Sequence, residues 1–272
     1  MPTRLIAQHT PARQLSVETV RTLWRLRLDY FPLGPERSAE EDWFEFSAYF
    51  QRERRDAVVF RHAGEIVGFF VNSHDRIVIE GRAALLVSLE YVYLRPRFRG
   101  HPSFILSGFR MFLALRMRHP RAPIYYVGFM FPNSYAVIDG TFGRTLTLQD
   151  ATPPAPFERA ILEWYGREAG GKRWDPVRQV AVYKNRPPAI VDRDEKPAKV
   201  QAAYDRYERL NPTWQDGDCI VVVAPADGAA FRSALARAMT RATRRSRRDV
   251  RTLRTQDDLR DAGQAAASRA PA

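Results

Sequence analysis

LVSLEYVYLRPRFRGHPSFILSGFRMFL, residues 86–113, runs from an apolar stretch through an arginine-rich turn with one glycine into a second apolar stretch. The first part alternates with period two and is rich in β-branched and aromatic residues, which predicts a strand. From Ser103 to Arg118 the apolar residues cover most faces of a helix, leaving Arg110, Arg116 and Arg118 to reach water. Such a helix is expected to lie against a sheet. A strand that feeds a helix without a gap aims unpaired N–H groups at one point, where the helix N-terminus favours an anion such as phosphate. Arg95, Arg97 and Arg99, alternating before Gly100, either contact that anion or occupy a solvated turn.

Outward from this stretch, helices and strands alternate. Residues 14–31 predict a helix, with Ser16, Glu18 and Thr19 able to cap it and Val20, Leu23, Trp24 and Leu28 at helical spacing. A second helix over 43–54 places Trp43, Phe46, Tyr49 and Phe50 on one side. Residues 56–61 and 65–73 read as a hairpin around His62, Ala63 and Gly64, and strands are expected at 76–80, 83–94, 123–131 and, more weakly, 144–149. A short helix follows Pro132–Asn133–Ser134, a longer one spans 155–171 with Gly170 and Gly171 closing it, and a strand is expected within 177–185. No repeat period is visible.

The proline-rich, mixed-charge residues 186–198 read as a connector, dividing a main domain (1–185) from a C-terminal extension (199–262) and a loose tail (263–272). The extension is expected to hold a helix at 199–210, the buried strand CIVVVAP at 219–225, and basic helices in 228–247 and 250–262. Whether CIVVVAP joins the main sheet or starts a separate unit is open from sequence.

Of the 272 residues, 45% are hydrophobic and 27% charged, which excludes wholesale disorder. No apolar run is long enough to cross a membrane, because Arg110 interrupts the best candidate, FILSGFRMFLAL. The start MPTRLIAQHTP has no signal-peptide pattern, and the lone Cys219 permits a reducing compartment, so a cytoplasmic location is expected. The net charge of +12 comes from 43 basic and 31 acidic residues, and arginine outnumbers lysine 39 to 4, a skew that a GC-rich genome also produces. Residues 229–272 hold 11 Arg against 4 Asp, so this tail is either a solvated basic helix or a docking arm for nucleic acid or another acidic partner. His9, His62, His74, His101 and His119 lack metal-ligand spacing, so no metal is expected.

The segment PRFRGHPSFIL resembles the pyrophosphate loop of the GNAT acyltransferase superfamily, which reads Pro, two variable residues, Arg-Gly-x-Gly-x-Gly or Ala, then a helix. Pro96, Arg99 and Gly100 match, whereas Pro102 and Phe104 stand where the second and third glycines fall. The element order over roughly residues 3–145, and Asn133-Ser134-Tyr135-Ala136 as Asn-x-x-Ala, are similar to that superfamily too. The resemblance implies an α/β fold with a mixed, mostly antiparallel central sheet flanked by helices, followed here by the C-terminal α/β extension. It also implies N-acyl transfer from acetyl-CoA, a longer acyl-CoA or an acyl thioester on an acidic carrier protein to an amine. The donor is then expected to meet Val92, Leu94, Arg97, Arg99, Gly100, His101, Ser103 and Asn133, with an N–H between Val92 and Leu94 receiving the thioester oxygen. The helix carrying Trp43, Phe46, Tyr49 and Phe50 would wall the acceptor pocket. The tyrosine that protonates the leaving thiolate in the family falls on Gly140, which leaves Tyr135 as the nearby substitute.

From the residues themselves, Glu90 stands out as a carboxylate inside an apolar strand. It is expected either to act as the base that takes the amine proton or to form a structural ion pair with an arginine. Period-two alternation puts Ser88, Glu90, Val92 and Leu94 on one face and Leu89, Tyr91 and Tyr93 on the other. Competing with transfer is a non-catalytic descendant that uses the groove or the basic tail to bind a partner.

Overall fold

The computed structural model describes residues 5–33, 37–99, 101–183, 197–228 and 232. Within them an eight-stranded sheet has the order β1-β2-β3-β4-β5-β8-β7-β6. The strands are β1 (Ile6–Pro11), β2 (Arg55–His62), β3 (Glu65–Ile79), β4 (Arg82–Leu94), β5 (Ile124–Met130), β6 (Trp174–Asp175), β7 (Val180–Val182) and β8 (Asp218–Pro225). All neighbouring pairs are antiparallel except β4 with β5. The segments expected at 65–73 and 76–80 form one long strand, β3, and the weak strand expected at 144–149 is reduced to a single bridge between Leu146 and Val223.

Among the described residues six helices cover the two faces: α1 (Val17–Leu28), α2 (Ala39–Phe50), α3 (Pro102–Arg118), α4 (Pro132–Phe142), α5 (Pro156–Gly170) and α6 (Ala198–Leu210). Their starts follow local chemistry. Ser16 accepts from the Thr19 N–H, and Ser38 with Glu41 completes a capping box before the acidic first turn of α2. α3 and α4 each begin with a proline, whose missing N–H costs nothing at that position. One face packs α1 and α2 on Val59, Phe69 and Val71, and α5 on Leu86, Val127 and Val221. The opposite face packs α3 on Phe60, Phe70 and Val87, and α4 with α6 on Met130, Ile220 and Val222. Because both faces are covered, Ala57–Phe60 and Ile220–Ala224 are buried without alternation.

Two buried carboxylates tie elements together. Asp42 of α2 is 2% exposed and accepts from the Trp24 indole at 2.6 Å and from Arg27 of α1, with Arg37 at 3.3 Å. Asp218 is bound by Arg178 and by the Thr213 hydroxyl.

The question left open for CIVVVAP has a definite outcome. Residues expected in a C-terminal extension build α6 and β8, and β8 lies inside the main sheet between β5 and β7. α6 is bound to the same body: the Tyr207 hydroxyl donates to the Met130 carbonyl at 2.6 Å, and Arg206 reaches Asp150 at 2.9 Å and Asp139 at 3.5 Å. The basic helices expected in 228–247 and 250–262, the loose tail, and residues 186–196 of the connector lie outside the described residues, apart from Gly228 and Arg232. Among the described residues no helix is long and apolar enough to cross a membrane.

Candidate active site

β4 and β5 pair only over Leu85–Val87 and Ile124–Tyr126, and beyond those positions the two parallel strands are no longer partners. The sheet therefore opens at the carboxyl ends of two neighbouring strands, between the helices of one face and those of the other. The released edge of β4 is partly occupied: the Leu89 N–H meets the phenol of Tyr126, whose pKa is pushed up chiefly by burial.

A bulge in β4 lies at this opening. The register runs from Val71↔Glu90 to Phe69↔Tyr93, so Tyr91 and Val92 oppose the single residue Phe70. Tyr91 takes φ 48°, a left-handed conformation that costs a non-glycine residue about 1–3 kcal/mol. The shift overturns the alternation expected from sequence. Tyr91 and Tyr93 pack with Phe46 and Tyr49 of α2 on the face to which Glu90 belongs, and Leu94 joins the α3 face. Val92 is 44% exposed.

Glu90 is half-buried and accepts from the Ser73 hydroxyl at 3.0 Å. Among the described residues it makes no ion pair, so the structural pairing with an arginine expected as its other role is not seen there. Tyrosines from elements distant in sequence, Tyr49, Tyr126 and Tyr165, lie close enough to feel its charge. Tyr49 of α2 is driven up in pKa first by burial and then by the Glu90 carboxylate, and Tyr165 of α5 shifts up for the same two reasons. Tyr165 also shares a 3.1 Å hydrogen bond with Ser88, which precedes Glu90 on the same face. The aromatic helix expected to wall an acceptor pocket divides its residues: Trp43 packs edge-on to Trp24, Phe50 is core, and Phe46 and Tyr49 meet Tyr91. Sequence reading missed Ser73, Tyr126 and Tyr165. The one available signal was Asn72–Ser73, a polar pair directly after the apolar run Ile66–Val71.

Past the bulge, the Arg95 N–H bonds the Val67 carbonyl and so faces β3. Since strand amides alternate sides, that of Leu94 points away from β3, toward the opening. The Leu94 carbonyl is engaged by the Arg99 side chain at 3.3 Å.

The anion cradle expected from the turn into α3 is closed by the turn itself. The N–H groups of Phe98, Arg99, His101 and Phe104 bond the carbonyls of Arg95, Pro96, Phe98 and His101. The Ser103 N–H is taken at 3.2 Å by the His101 imidazole, which caps the helix, and Pro96 and Pro102 have no N–H. Gly100 lies outside the described residues. Of the three arginines, Arg95 pairs with Glu65 at 3.6 Å, Arg97 stacks on Phe98, and Arg99 stacks over Tyr30. Among the described residues the main chain of this turn offers no cluster of free N–H groups for a pyrophosphate.

Tyr135 and Asn133 are placed away from the chemistry expected of them. Tyr135 has 0% exposure between α4 and α6, accepts from the Thr145 hydroxyl at 3.3 Å, and packs against Tyr207. Burial raises its pKa, and its hydroxyl reaches no solvent-exposed surface from which a leaving thiolate could take a proton. The Asn133 side chain accepts from the Tyr204 hydroxyl of α6 at 2.5 Å. Cys219 is buried in β8, and among the described residues no group of three or more His, Cys, Asp or Glu side chains could hold a metal.

No protein-family model matches the chain, and no curated protein does. Among solved structures it is similar to an acyl-CoA N-acyltransferase from Pseudomonas aeruginosa, with 14% identity over 55% of this chain and 93% of that one and a TM-score of 0.38. A probable N-acyltransferase from Enterococcus faecalis has 17% identity and a TM-score of 0.35 over 49% of this chain, which spans only 32% of that protein. An aminoglycoside N-acetyltransferase in complex with CoA has 12% identity and a TM-score of 0.33, covering 46% of this chain and 76% of the other. The fold is GNAT-like, and that assignment rests on its own features: two helices between β1 and β2, the parallel β4–β5 pair that splays, the bulge in β4 and the helix that follows it.

Proposed function

We propose that the protein is an N-acyltransferase in which an amine, bound on the α1, α2 and α5 face, attacks an acyl thioester threaded through the β4–β5 opening. One observation carries the proposal. The splay beyond Val87 and the bulge at Tyr91 coincide, so that a half-buried carboxylate, Glu90, without a cationic partner among the described residues, stands beside the gap. In this reading Glu90 takes the proton from the attacking nitrogen, an effect worth about 10²–10⁴ in rate. The C–N bond forms as the carbonyl oxygen gains charge near the Val92 or Leu94 N–H, the C–S bond then breaks, and the departing thiolate is protonated from solvent. The occupied amides of the turn do not support a main-chain grip on the pyrophosphate of coenzyme A, so no step depends on that group.

A binding module without catalysis is the second reading, favoured by those same occupied amides and by the burial of Tyr135. Its partners would be the acidic carrier or nucleic acid expected from the charge of the chain. The readings separate in a thiol-release assay with acetyl- and octanoyl-pantetheine as donors and a panel of primary amines as acceptors. Glu90→Gln is expected to lower amine-dependent release about a hundredfold while leaving the melting temperature unchanged. Equal rates for the two proteins, or no release from either donor, would leave the binding module standing.

A further inference from the structure

Between Tyr91 and Ile138 the sequence has seven arginines, at 95, 97, 99, 110, 116, 118 and 121, and no aspartate or glutamate. Those residues are the end of β4, the turn, α3, β5 and the first turns of α4. Arg95, Arg97 and Arg99 lie in the turn at the carboxyl end of β4, beside the opening, and Arg110 lies halfway along α3, with no acidic residue of the same stretch to offset them.

The outer face of α3 adds a second feature. Leu106, Arg110, Leu113 and Met117 recur at i, i+4, i+7 and i+11, so they form one stripe. Leu106 is 51% exposed, Leu113 41% and Met117 69%, with Arg110 exposed among them, while Phe104, Met111 and Leu115 pack inward on the sheet. Val137 on α4 is 60% exposed as well. A helix whose outer face served only solubility would carry charges at such positions, and an apolar stripe edged by arginine marks an interaction surface. Nucleic acid offers phosphates but no apolar face to match leucine and methionine. An acidic helical protein offers both.

The closed turn points the same way. With the Ser103 N–H capped by His101 and those of Phe98, Arg99, His101 and Phe104 bonded within the turn, a donor bearing a pyrophosphate finds little main-chain grip among the described residues. A carrier protein holds its pantetheine arm by a single phosphodiester and derives its affinity from protein surface instead. We propose that the outer face of α3, with Arg97, Arg99 and Arg110, docks an acidic acyl carrier protein whose phosphopantetheine arm presents the thioester in the β4–β5 opening. This rests on the acyl-transfer reading above. The acyl C–S bond to the arm breaks, the amine C–N bond forms, and the thiol stays on the carrier.

The test uses the full chain and a fatty-acid acyl carrier protein in holo and octanoyl forms, with binding measured by calorimetry at low and physiological salt. The holo carrier is expected to bind, more weakly as salt rises, and R110E and L113E are each expected to weaken it about tenfold. Neither substitution should change thiol release from octanoyl-pantetheine, which needs no carrier. Absence of carrier binding, or binding unaffected by both substitutions, overturns the proposal. So does tighter binding of single-stranded RNA or anionic phospholipid vesicles that depends on the same two residues. If octanoyl-pantetheine yields no Glu90-dependent release while the carrier still binds through Arg110 and Leu113, the acyl-transfer reading fails and the docking surface stands.

Discussion

The difference between Glu90 and Tyr135 shows how a residue's use depends on what reaches it. Glu90 accepts from the Ser73 hydroxyl, and its charge is felt by tyrosines of α2 and α5, so proton transfer there would be coupled to elements on both sides of the opening. Tyr135 is enclosed between α4 and α6, with Thr145 as its hydroxyl partner. Tyr135→Phe is therefore expected to leave the rate within about twofold of the parent and to lower stability by about 0.5–1.5 kcal/mol, the worth of one buried hydrogen bond. Parallel thiol-release and denaturant-unfolding measurements check it, and a large rate loss with unchanged stability would return Tyr135 to the catalytic set. Sequence picked out Glu90 because a carboxylate in an apolar strand is rare enough to read directly. It misplaced Tyr135 because the helix that buries it, α6, arrives more than sixty residues later.

At the scale of elements, strands and helices were legible wherever an apolar period met a cap or a turn, as at Ser16 and Pro132. The bulge was not, since Tyr91 carries no glycine or proline to announce a left-handed residue. Its trace was on the facing strand. Gly68 stands across from Leu94, and a Cβ there would sit 2.7 Å from the Tyr93 carbonyl oxygen and 2.4 Å from the Leu94 Cδ1, so only glycine admits the close approach. The turn into α3 was read correctly as a strand feeding a helix but not as a closed loop, because self-capping by His101 follows from its rotamer and not from its spacing. His101→Ala tests that closure. Losing the cap should cost roughly 1 kcal/mol of stability. Freeing the Ser103 N–H should at the same time increase the thermal stabilisation that coenzyme A gives the protein. A lower melting temperature with no gain in the coenzyme A response would mean that the amide is not what limits anion binding.

For the whole molecule, the decisive feature is that the chain completes its sheet from its far end. β8 enters between β5 and β7 after the chain has passed through residues 186–196, so a strand remote in sequence occupies the interior of the sheet. Apolar composition alone made it legible as a buried strand, but partner choice is a long-range property that no local pattern encodes. Ile220, Val221, Val222 and Val223 are at most 1% exposed. At about 1.5–3 kcal/mol for each such side chain, their burial is comparable to the roughly 5–15 kcal/mol by which a domain is stable at all. A chain ended at residue 185 is accordingly expected not to reach the native state. It leaves Val127, Met130 and Val180 uncovered and removes the Tyr207 bond to β5 and the Arg206 pairs with Asp139 of α4 and with Asp150. Expression of the truncated chain should give aggregate, or a species without near-ultraviolet circular dichroism and without a cooperative melt. A soluble monomer with a sharp transition would show that β1–β7 form a self-sufficient domain and that β8 only extends it.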